Sequence, residues 1–219
     1  MILFWNKVFR IIFSIALALS IFIISVKFTL NFRSLYYFDI EYLNIEEFSG
    51  LRKDEIKLNY NYLIDYMNDK DAAEFKLPTL PSSKYGQIHF VEVKNIFVTL
   101  DIILKISLST ILLGLIINYK NIYLLKHVST ILLVTPIVIL IPFAINFDTT
   151  FTIFHKIFFR NDYWIFDPSE DPIINILPQG FFLHSALIIL FKILFICIIL
   201  KIIFRKKPAN LTRSYDLNL

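Results

Sequence analysis

Two histidines carry the side chains best suited to proton transfer near neutral pH. His89 lies shortly before one long apolar block of the sequence, and His155 lies shortly after another. An unperturbed imidazole has a pKa of about 6.5, so it can take up and release a proton near neutral pH. If the fold brings the two rings together, they form a candidate pair of general acid and general base. The alternative is that both histidines belong to a belt of aromatic residues at a membrane interface.

The stretch that starts at His155 is richer in polar groups than such a belt requires. Residues 155–164 contain lysine, arginine, asparagine and aspartate side chains among phenylalanine, tyrosine and tryptophan. The pairs Asp167-Pro168 and Asp171-Pro172 follow, and pairs of this kind favour turns. Aromatic walls with a few convergent polar groups are typical of ligand sites. The sequence therefore predicts a shaped loop in this region.

A metal site is the main chemical alternative. His89 and Glu92 are spaced i,i+3, and with His155 they would supply three ligands, the number that a catalytic zinc uses. Such a metal-dependent hydrolase requires two separate stretches to converge with tight geometry. The sequence contains no HExxH motif, no GxSxG elbow and no glycine-rich phosphate loop. We predict that the chain uses no metal and no cofactor.

Four apolar blocks are the elements that must position these residues. The chain is 57% hydrophobic with a mean hydropathy of +0.64, which is high for a soluble domain. The blocks run over residues 8–28, 96–117, 128–145 and 180–204. Each is close to the 20 or so residues that a membrane-spanning helix needs. The predicted fold is an all-α integral membrane protein with four transmembrane helices and a small extracytoplasmic cap.

These blocks divide the chain into six predicted parts. They are a first transmembrane helix at 1–30, the cap at 31–95, the second and third transmembrane helices with a short cytoplasmic loop at 96–146, a second extracytoplasmic loop at 147–179, the fourth transmembrane helix at 180–204 and a cytoplasmic tail at 205–219.

Two local features of these parts carry predictions of their own. Ser49 is a candidate N-cap for a cap helix that continues to Met67. Asp101 and Lys105 are spaced i,i+4, which predicts a local ion pair. The alternative for Asp101 and Lys105 is a polar site where the cap meets the membrane, because charges within spans are costly.

Basic residues indicate how the chain is oriented. Lys7 and Arg10 precede the first block, Lys120 and Lys126 lie between the second and third, and residues 205–207 follow the fourth. Because basic residues accumulate on the cytoplasmic side, both termini are predicted to be cytoplasmic. Both histidines then lie at the extracytoplasmic interface of the membrane. The net charge of +4 is explained by these flanks, so we predict no nucleic-acid partner.

The chain resembles a family of bacterial integral membrane proteins, the lipoprotein intramolecular transacylases. Its first motif, running from His89 through Glu92 to Lys94, is similar to a family pattern of His-x-x-Asp-Val-Lys type. Glu92 departs from the family's aspartate, and Gly86 stands where an acidic residue is usual. The second motif is more specific and comprises His155, Phe159, Asn161, Asp162, Trp164, Asp171, Pro178, Phe181 and Phe182. The order of the blocks also matches, so the resemblance covers nearly the whole chain.

The resemblance implies an acyltransferase. It would move an acyl chain from the sn-2 ester of a diacylglyceryl-modified lipoprotein to the α-amine of that lipoprotein's N-terminal cysteine, giving the lyso-form. Its partners would be diacylglyceryl lipoproteins and membrane lipid. His89 and His155 would be catalytic, and Asp162 would fix a histidine tautomer. The residues expected to bind the substrate are Glu92, Lys94, Phe159, Asn161, Asp162, Tyr163 and Trp164.

A reaction of this kind suits the residues, because it requires no nucleophile from the enzyme and the sequence offers none near either histidine. Attack of the amine on the ester closes a ring of about eight atoms, which is unfavourable unless the reacting groups are confined. Besides the metal-dependent hydrolase, a non-enzymatic membrane sensor or assembly protein remains an alternative. Such a protein would tolerate the loss of either histidine.

Overall fold

The computed structural model describes residues 2–118, 134, 142–143 and 145–206, except for the side chains of residues 2–7, 10, 117–118 and 204–206. All regular structure within these residues is helical, which confirms the predicted all-α class. The helices with defined bounds are α1 (Ile2–Asn31), α2 (Arg33–Tyr42), α3 (Ile45–Ser49), α4 (Lys53–Asn68), α5 (Lys84–Asn118), α6 (Phe147–Phe158), α7 (Ile173–Ile176) and α8 (Gln179–Lys206).

Three of the described helices are long and apolar enough to cross a membrane. The candidate spans are Ile11–Asn31, Lys84–Ile116 and Gln179–Ile203. They correspond to the first, second and fourth predicted transmembrane helices. The third predicted helix, the loop before it and the tail from residue 207 onwards lie outside the described residues, apart from positions 134, 142–143 and 145.

Helix α5 is longer than the sequence predicts. It begins at Lys84, whereas the predicted span begins at Ile96, and it contains 35 residues. At 1.5 Å per residue its length is about 52 Å, compared with a hydrocarbon core of about 30 Å. The helix is thus longer than a single span requires, and Glu92 and Lys94 lie in its first third. His89 and Glu92 are held on this one continuous helix, one turn apart.

The chain forms two compact units, of which one comprises Lys27–Ile102 and Pro142–Ile188. Its core is built around Tyr36 and Tyr60, which stack with their ring centroids 3.6 Å apart. Phe181 packs edge-on against both rings. Helix α4 contributes an apolar stripe to this core, since Ile56, Tyr60, Leu63 and Met67 recur every three or four residues and are all buried.

The same unit contains a buried polar pair away from the two candidate catalytic histidines. Nδ1 of His184 lies 2.7 Å from Oδ1 of Asp39, whose side chain is completely buried. Burial raises the pKa of Asp39, and the hydrogen bond from His184 opposes part of this shift. His184 therefore offsets the cost of burying Asp39 and is more than an apolar packing residue.

The other unit comprises Met1–Val26, Ile103–Ile141 and Ile189–Leu219. Ala18, Ile193 and Cys197 form its buried cluster among the described residues. A Cβ atom at Gly114 would lie 2.2 Å from the Phe13 ring, so only glycine allows this close approach of α5 to α1. Small residues commonly permit such contacts between membrane helices.

The prediction that Ser49 is an N-cap is wrong. Helix α3 ends at Ser49, whose hydroxyl donates a hydrogen bond to the Ile45 carbonyl at 2.6 Å. Gly50 comes next with a φ of +69°, in the left-handed region that commonly ends helices at glycine. Helix α4 starts afresh at Lys53, whose amide donates to Glu46 Oε1 at 2.9 Å. The predicted cap helix therefore corresponds to α4, which begins after Arg52 rather than after Ser49.

The predicted ion pair between Asp101 and Lys105 is also wrong. The Asp101 carboxylate pairs with Lys27 and, at 3.2 Å, with Lys70. Both partners are distant in sequence, so the i,i+4 spacing could not reveal them. The charge of Asp101 is compensated by tertiary contacts rather than within its own helix.

Candidate active site

His89 and His155 meet in the structure. His89 lies near the start of α5 and His155 near the end of α6, and their ring centroids are 6.0 Å apart. Both side chains are buried, with exposed fractions of 5% and 8%. The structure thus brings together the two residues predicted to be catalytic, although they come from separate helices.

A main-chain hydrogen bond defines the tautomer of His155. Its Nδ1 lies 2.7 Å from the carbonyl oxygen of Phe151. A carbonyl oxygen only accepts hydrogen bonds, so Nδ1 must carry the proton and Nε2 of the neutral ring must be free to accept one. Burial lowers the pKa of His155, although the hydrogen bond to Phe151 opposes part of this shift. The ring is therefore a neutral proton acceptor at pH 7.

The prediction that Asp162 fixes a histidine tautomer is wrong. The Asp162 side chain is exposed, and its main-chain carbonyl accepts a hydrogen bond from the Ile165 amide at 3.1 Å. The tautomer of His155 is fixed by the Phe151 carbonyl instead of by Asp162, because Phe151 lies one helical turn before His155. Asp162 remains a predicted substrate-binding residue at the exposed side of the loop.

His89 differs from His155 in that its Nδ1 is buried without a hydrogen-bond partner among the described residues. Phe159 and Phe166 approach the ring edge-on, with centroids 4.8 and 5.4 Å away. Buried polar atoms are nearly always paired, so an unpaired one calls for an explanation such as a bound group. The unpaired nitrogen of His89 is suited to meet a polar group of a substrate.

Aromatic side chains enclose the histidine pair. The ring centroids of Trp164 and Phe151 lie 4.7 and 4.1 Å from the ring centroid of His155. Phe159 is buried and contacts both imidazoles. Two of the predicted substrate-binding residues, Phe159 and Trp164, are therefore walls of the candidate site.

Asn161 connects the loop of residues 159–172, here called the aromatic loop, to α5. Its side-chain amide donates to Glu92 Oε1 at 2.8 Å, and its Oδ1 accepts from the Tyr163 amide at 3.1 Å. The indole of Trp164 donates to the Asn161 main-chain carbonyl at 3.2 Å. Through these bonds one asparagine fixes Glu92 and holds Trp164 beside His155. Tyr163 is held in addition by stacking on Tyr85 at 4.6 Å.

Asp171 anchors the other end of the loop, a role that the sequence did not indicate. Its carboxylate accepts hydrogen bonds from the amide of Ser83 at 2.8 Å and from its hydroxyl at 2.6 Å. A Cβ atom at Gly86 would lie 2.2 Å from Asp171 Oδ1, so the carboxylate occupies the space that glycine leaves. A glycine at position 86, where the resemblance leads one to expect an acidic residue, is the signal from which this contact could have been inferred.

Lys94 is not brought to the histidines. Its ammonium donates to the Ala72 carbonyl at 2.5 Å and lies 4.5 Å from the Tyr66 ring centroid. Five residues along a helix correspond to a rotation of about 140°, which points Lys94 away from His89. The contacts of Lys94 support a structural role in the cap rather than the substrate contact that we predicted.

The ligand set considered for zinc is not assembled. Among the residues that the structure describes, no group of three or more histidine, cysteine, aspartate or glutamate side chains is placed to hold a metal ion. Glu92 Oε1 is instead engaged by Asn161. The geometry of this part of the chain does not favour the metal-dependent hydrolase.

Comparison with known proteins identifies the family of the chain. Residues 11–182 match the family model described as lipoprotein intramolecular transacylase Lit. The chain belongs to this family. The matched range includes His89, His155 and the whole aromatic loop. No curated protein matches the chain.

Solved structures of the membrane integral lipoprotein intramolecular transacylase Lit from Bacillus cereus are similar to the chain over nearly its full length. One is 38% identical, with 97% of this chain and 98% of that chain covered and a TM-score of 0.88. Two others carry a substitution of one histidine, by arginine or by alanine. They are 37% and 36% identical, cover 98% and 99% of this chain and 95% and 100% of theirs, and have TM-scores of 0.82 and 0.83.

Family membership confirms the predicted class of protein and of reaction. The chain is a membrane-integral acyltransferase of the lipoprotein intramolecular transacylase family. The hydrolase and the non-enzymatic sensor or assembly protein are not favoured by these similarities.

Proposed function

We propose that the chain moves an acyl chain from the sn-2 ester of a diacylglyceryl-modified lipoprotein to the α-amine of its N-terminal cysteine, with His89 and His155 as the acid–base pair. One observation carries this proposal: two buried imidazoles lie 6.0 Å apart inside an aromatic enclosure in a chain of the transacylase family. The product is the lyso-form lipoprotein, with one acyl chain on the glycerol and one on nitrogen.

The proposed steps follow from the protonation states. The amine enters as ammonium, since an α-amino group has a pKa of about 7.7–8.0. It loses a proton to an imidazole and attacks the ester carbonyl, forming a C–N bond. The bond between the acyl carbon and the sn-2 oxygen then breaks. The nitrogen loses two protons overall, of which one ends on the glycerol oxygen and the other reaches solvent.

His155 is the favoured first proton acceptor, because its Nε2 is unprotonated in the neutral ring. His89 lies beside it and is the partner that passes a proton to the departing glycerol oxygen. Phe159 and Trp164 form walls that confine the substrate, which offsets the low probability of closing a ring of about eight atoms. Asn161 and Tyr163 contribute by fixing the loop that carries Trp164.

The proposed location is the bacterial cell membrane, with both termini cytoplasmic and the histidines at the extracytoplasmic interface. Support comes from the basic residues beside the apolar blocks and from the charged first third of α5. The ester groups of a diacylglyceryl lipoprotein in the outer leaflet lie at that interface. Partners are diacylglyceryl lipoproteins as substrates and the surrounding membrane lipid.

Mass spectrometry of a reporter lipoprotein tests the proposal. The chain is expressed in a bacterium that leaves its lipoproteins diacylglyceryl-modified with a free amine. Because the transfer is intramolecular, the intact N-terminal peptide keeps its mass, and fragmentation must locate one acyl chain on nitrogen. A peptide that has lost the mass of one acyl chain would instead show hydrolysis. An unchanged free amine would contradict the proposal.

A further inference from the structure

Glu92 has one oxygen engaged and one oxygen unpaired. Oε1 accepts the hydrogen bond from the Asn161 side chain at 2.8 Å. Oε2 is buried and has no hydrogen-bond partner among the described residues. A buried carboxylate oxygen without a donor is costly, so its position calls for a donor that the described residues do not supply.

The hydrogen bonds of Asn161 define which of its side-chain atoms faces Glu92. Its Oδ1 accepts from the Tyr163 amide, so its Nδ2 must be the atom that faces Glu92. Turning the amide over would place an oxygen against a carboxylate oxygen and a nitrogen against an N–H group. Glu92 is thus held from one side, with its free oxygen fixed in place.

Glu92 lies one helical turn after His89, on the same face of α5. Nδ1 of His89 is also a buried polar atom that has no partner among the described residues. An unpaired carboxylate oxygen and an unpaired imidazole nitrogen from residues one helical turn apart match a cationic group that can donate several hydrogen bonds. The substrate of the proposed reaction has one such group, its α-ammonium, with three N–H donors.

We propose that Glu92 binds the α-ammonium of the substrate cysteine, an inference that rests on the proposed function. The free oxygen of Glu92 accepts one N–H of the ammonium and positions the nitrogen beside the imidazoles. When a proton then moves from the nitrogen to an imidazole, the positive charge shifts by a few ångströms without leaving the carboxylate's neighbourhood. Glu92 therefore compensates the charge before and after the proton transfer and does not itself need to change protonation.

Binding of two unreactive lipopeptides separates this role from a purely structural one. Both lipopeptides carry an sn-2 ether in place of the ester, so no acyl chain can move. One has a free α-amine and the other is N-acetylated, so they differ in the positive charge. Their Kd values are measured at pH 7 with the full chain in bilayer nanodiscs, for the wild type and for Glu92→Gln, Glu92→Asp and Glu74→Gln.

The wild type should bind the free-amine lipopeptide about 10–100-fold more tightly than the acetylated one, the range expected for a hydrogen bond between charged groups. Glu92→Gln, which keeps an acceptor for Asn161 but removes the charge, should bind both equally. Glu92→Asp should keep the charge and part of the preference. Glu74, an exposed cap residue, provides the matched control, and its glutamine variant should keep the full preference.

A full preference in Glu92→Gln, or none in the wild type, would overturn the assignment of Glu92. If Glu92→Gln does not fold, Glu92→Ala, which also removes the charge, is measured in its place, and a full preference there overturns the assignment as well. Failure of the wild type to bind either lipopeptide would overturn the proposed substrate and this inference with it. Tight, equal binding of both lipopeptides by the wild type would leave the proposed function intact and overturn only the role of Glu92 in binding the ammonium.

Discussion

The two histidines of the site are neighbours with different surroundings. His155 has a fixed tautomer through the Phe151 carbonyl, whereas Nδ1 of His89 has no partner among the described residues. His155, whose free nitrogen is defined, is suited to accept a proton from a set direction. His89, whose buried Nδ1 is unpaired, is suited to a hydrogen-bond partner that arrives with the substrate.

Replacing either histidine should lower turnover strongly. His89→Ala and His155→Ala should each reduce the rate of conversion by about 10²–10⁴-fold, the usual range for general acid–base groups. The double variant should be little worse than the poorer single variant, because residues that act together lose activity non-additively. The measurement is the fraction of reporter lipoprotein converted per unit of folded enzyme.

Lys156→Ala is the matched control, because Lys156 is the exposed neighbour of His155 on the same helix, and its activity should be nearly unchanged. His184→Ala is a poor control because it would leave the buried Asp39 without its partner. Near-normal conversion by His89→Ala or His155→Ala would return that histidine to the aromatic belt.

The pH dependence of kcat/KM should follow the lowered pKa of His155. The neutral ring is the active form, so activity is retained above this pKa and lost as the pH falls through it. Since burial lowers the pKa of His155, the midpoint of the acid limb should lie below pH 6.5. The assay is initial-rate conversion of a short diacylglyceryl lipopeptide between pH 5 and 9. An acid limb centred above pH 6.5 would contradict His155 as the base.

Residue types made both histidines predictable, because imidazoles beside apolar blocks are conspicuous in the sequence. The partners of these residues were not predictable. The bond from His155 to a main-chain carbonyl replaced the expected role of Asp162, and Lys94 turned towards the cap because of its position around the helix. Hydrogen bonds such as that from Asn161 to Glu92 join stretches about 70 residues apart, and no local pattern encodes them.

At the scale of elements, the aromatic loop is held at both ends by contacts with the start of α5 and the residues before it. Asn161 bonds to Glu92, and Asp171 bonds to Ser83. The loop has short helical turns but little regular structure between α6 and α7, so these side-chain bonds fix its course. Their integrity should determine whether Trp164 stays beside His155.

Gly86→Ala should disturb this anchor. The new Cβ atom would lie 2.2 Å from Asp171 Oδ1, and this carboxylate cannot retreat without losing its bonds to Ser83. Overpacking of this kind commonly costs about 1–3 kcal/mol. Thermal unfolding of the purified chain in detergent should therefore show a lower Tm, with a parallel loss of activity.

Gly180→Ala is the comparison for this variant. Its Cβ atom would lie 3.0 Å from the end of the flexible Leu43 side chain, which can move aside. The Tm should fall less than for Gly86→Ala. Equal Tm values for Gly86→Ala and the wild type would show that Asp171 is not held as rigidly as its hydrogen bonds indicate.

The order of long helices was predictable from the sequence because a span of about 20 apolar residues is a strong signal. The bounds were less predictable. Helix α5 runs past the apolar block at its N-terminal end, where polar and apolar residues are interspersed and no proline ends the helix. In the cap, Ser49 has the residue type of an N-cap, but Gly50 follows it in the left-handed conformation and ends α3 there, so α4 begins only at Lys53.

For the whole molecule, the distribution of basic residues predicts one orientation. A reporter that is active only in the cytoplasm should work when fused after Leu219 or inserted within 118–126. The same reporter inserted at Ser82 should be silent, because Ser82 lies just before the helix that carries His89. The measurement is reporter activity normalised to the amount of fusion protein.

Cytoplasmic activity at Ser82 would reverse the proposed orientation and place both histidines on the wrong side for a lipoprotein in the outer leaflet. A fusion after Val26, where the first apolar block is nearly complete, should be as silent as the fusion at Ser82. This comparison shows whether the first block alone is sufficient to export the reporter.

The hydrogen bond from His155 to the Phe151 carbonyl has a consequence for how the protein can vary over evolutionary time. A side-chain partner is lost by a single codon change, but a main-chain carbonyl is supplied by every amino acid. Position 151 can therefore drift among residues that fill the same space while the basic nitrogen of His155 keeps its direction. Only a change that breaks α6 itself, such as a proline near position 155, would release the ring.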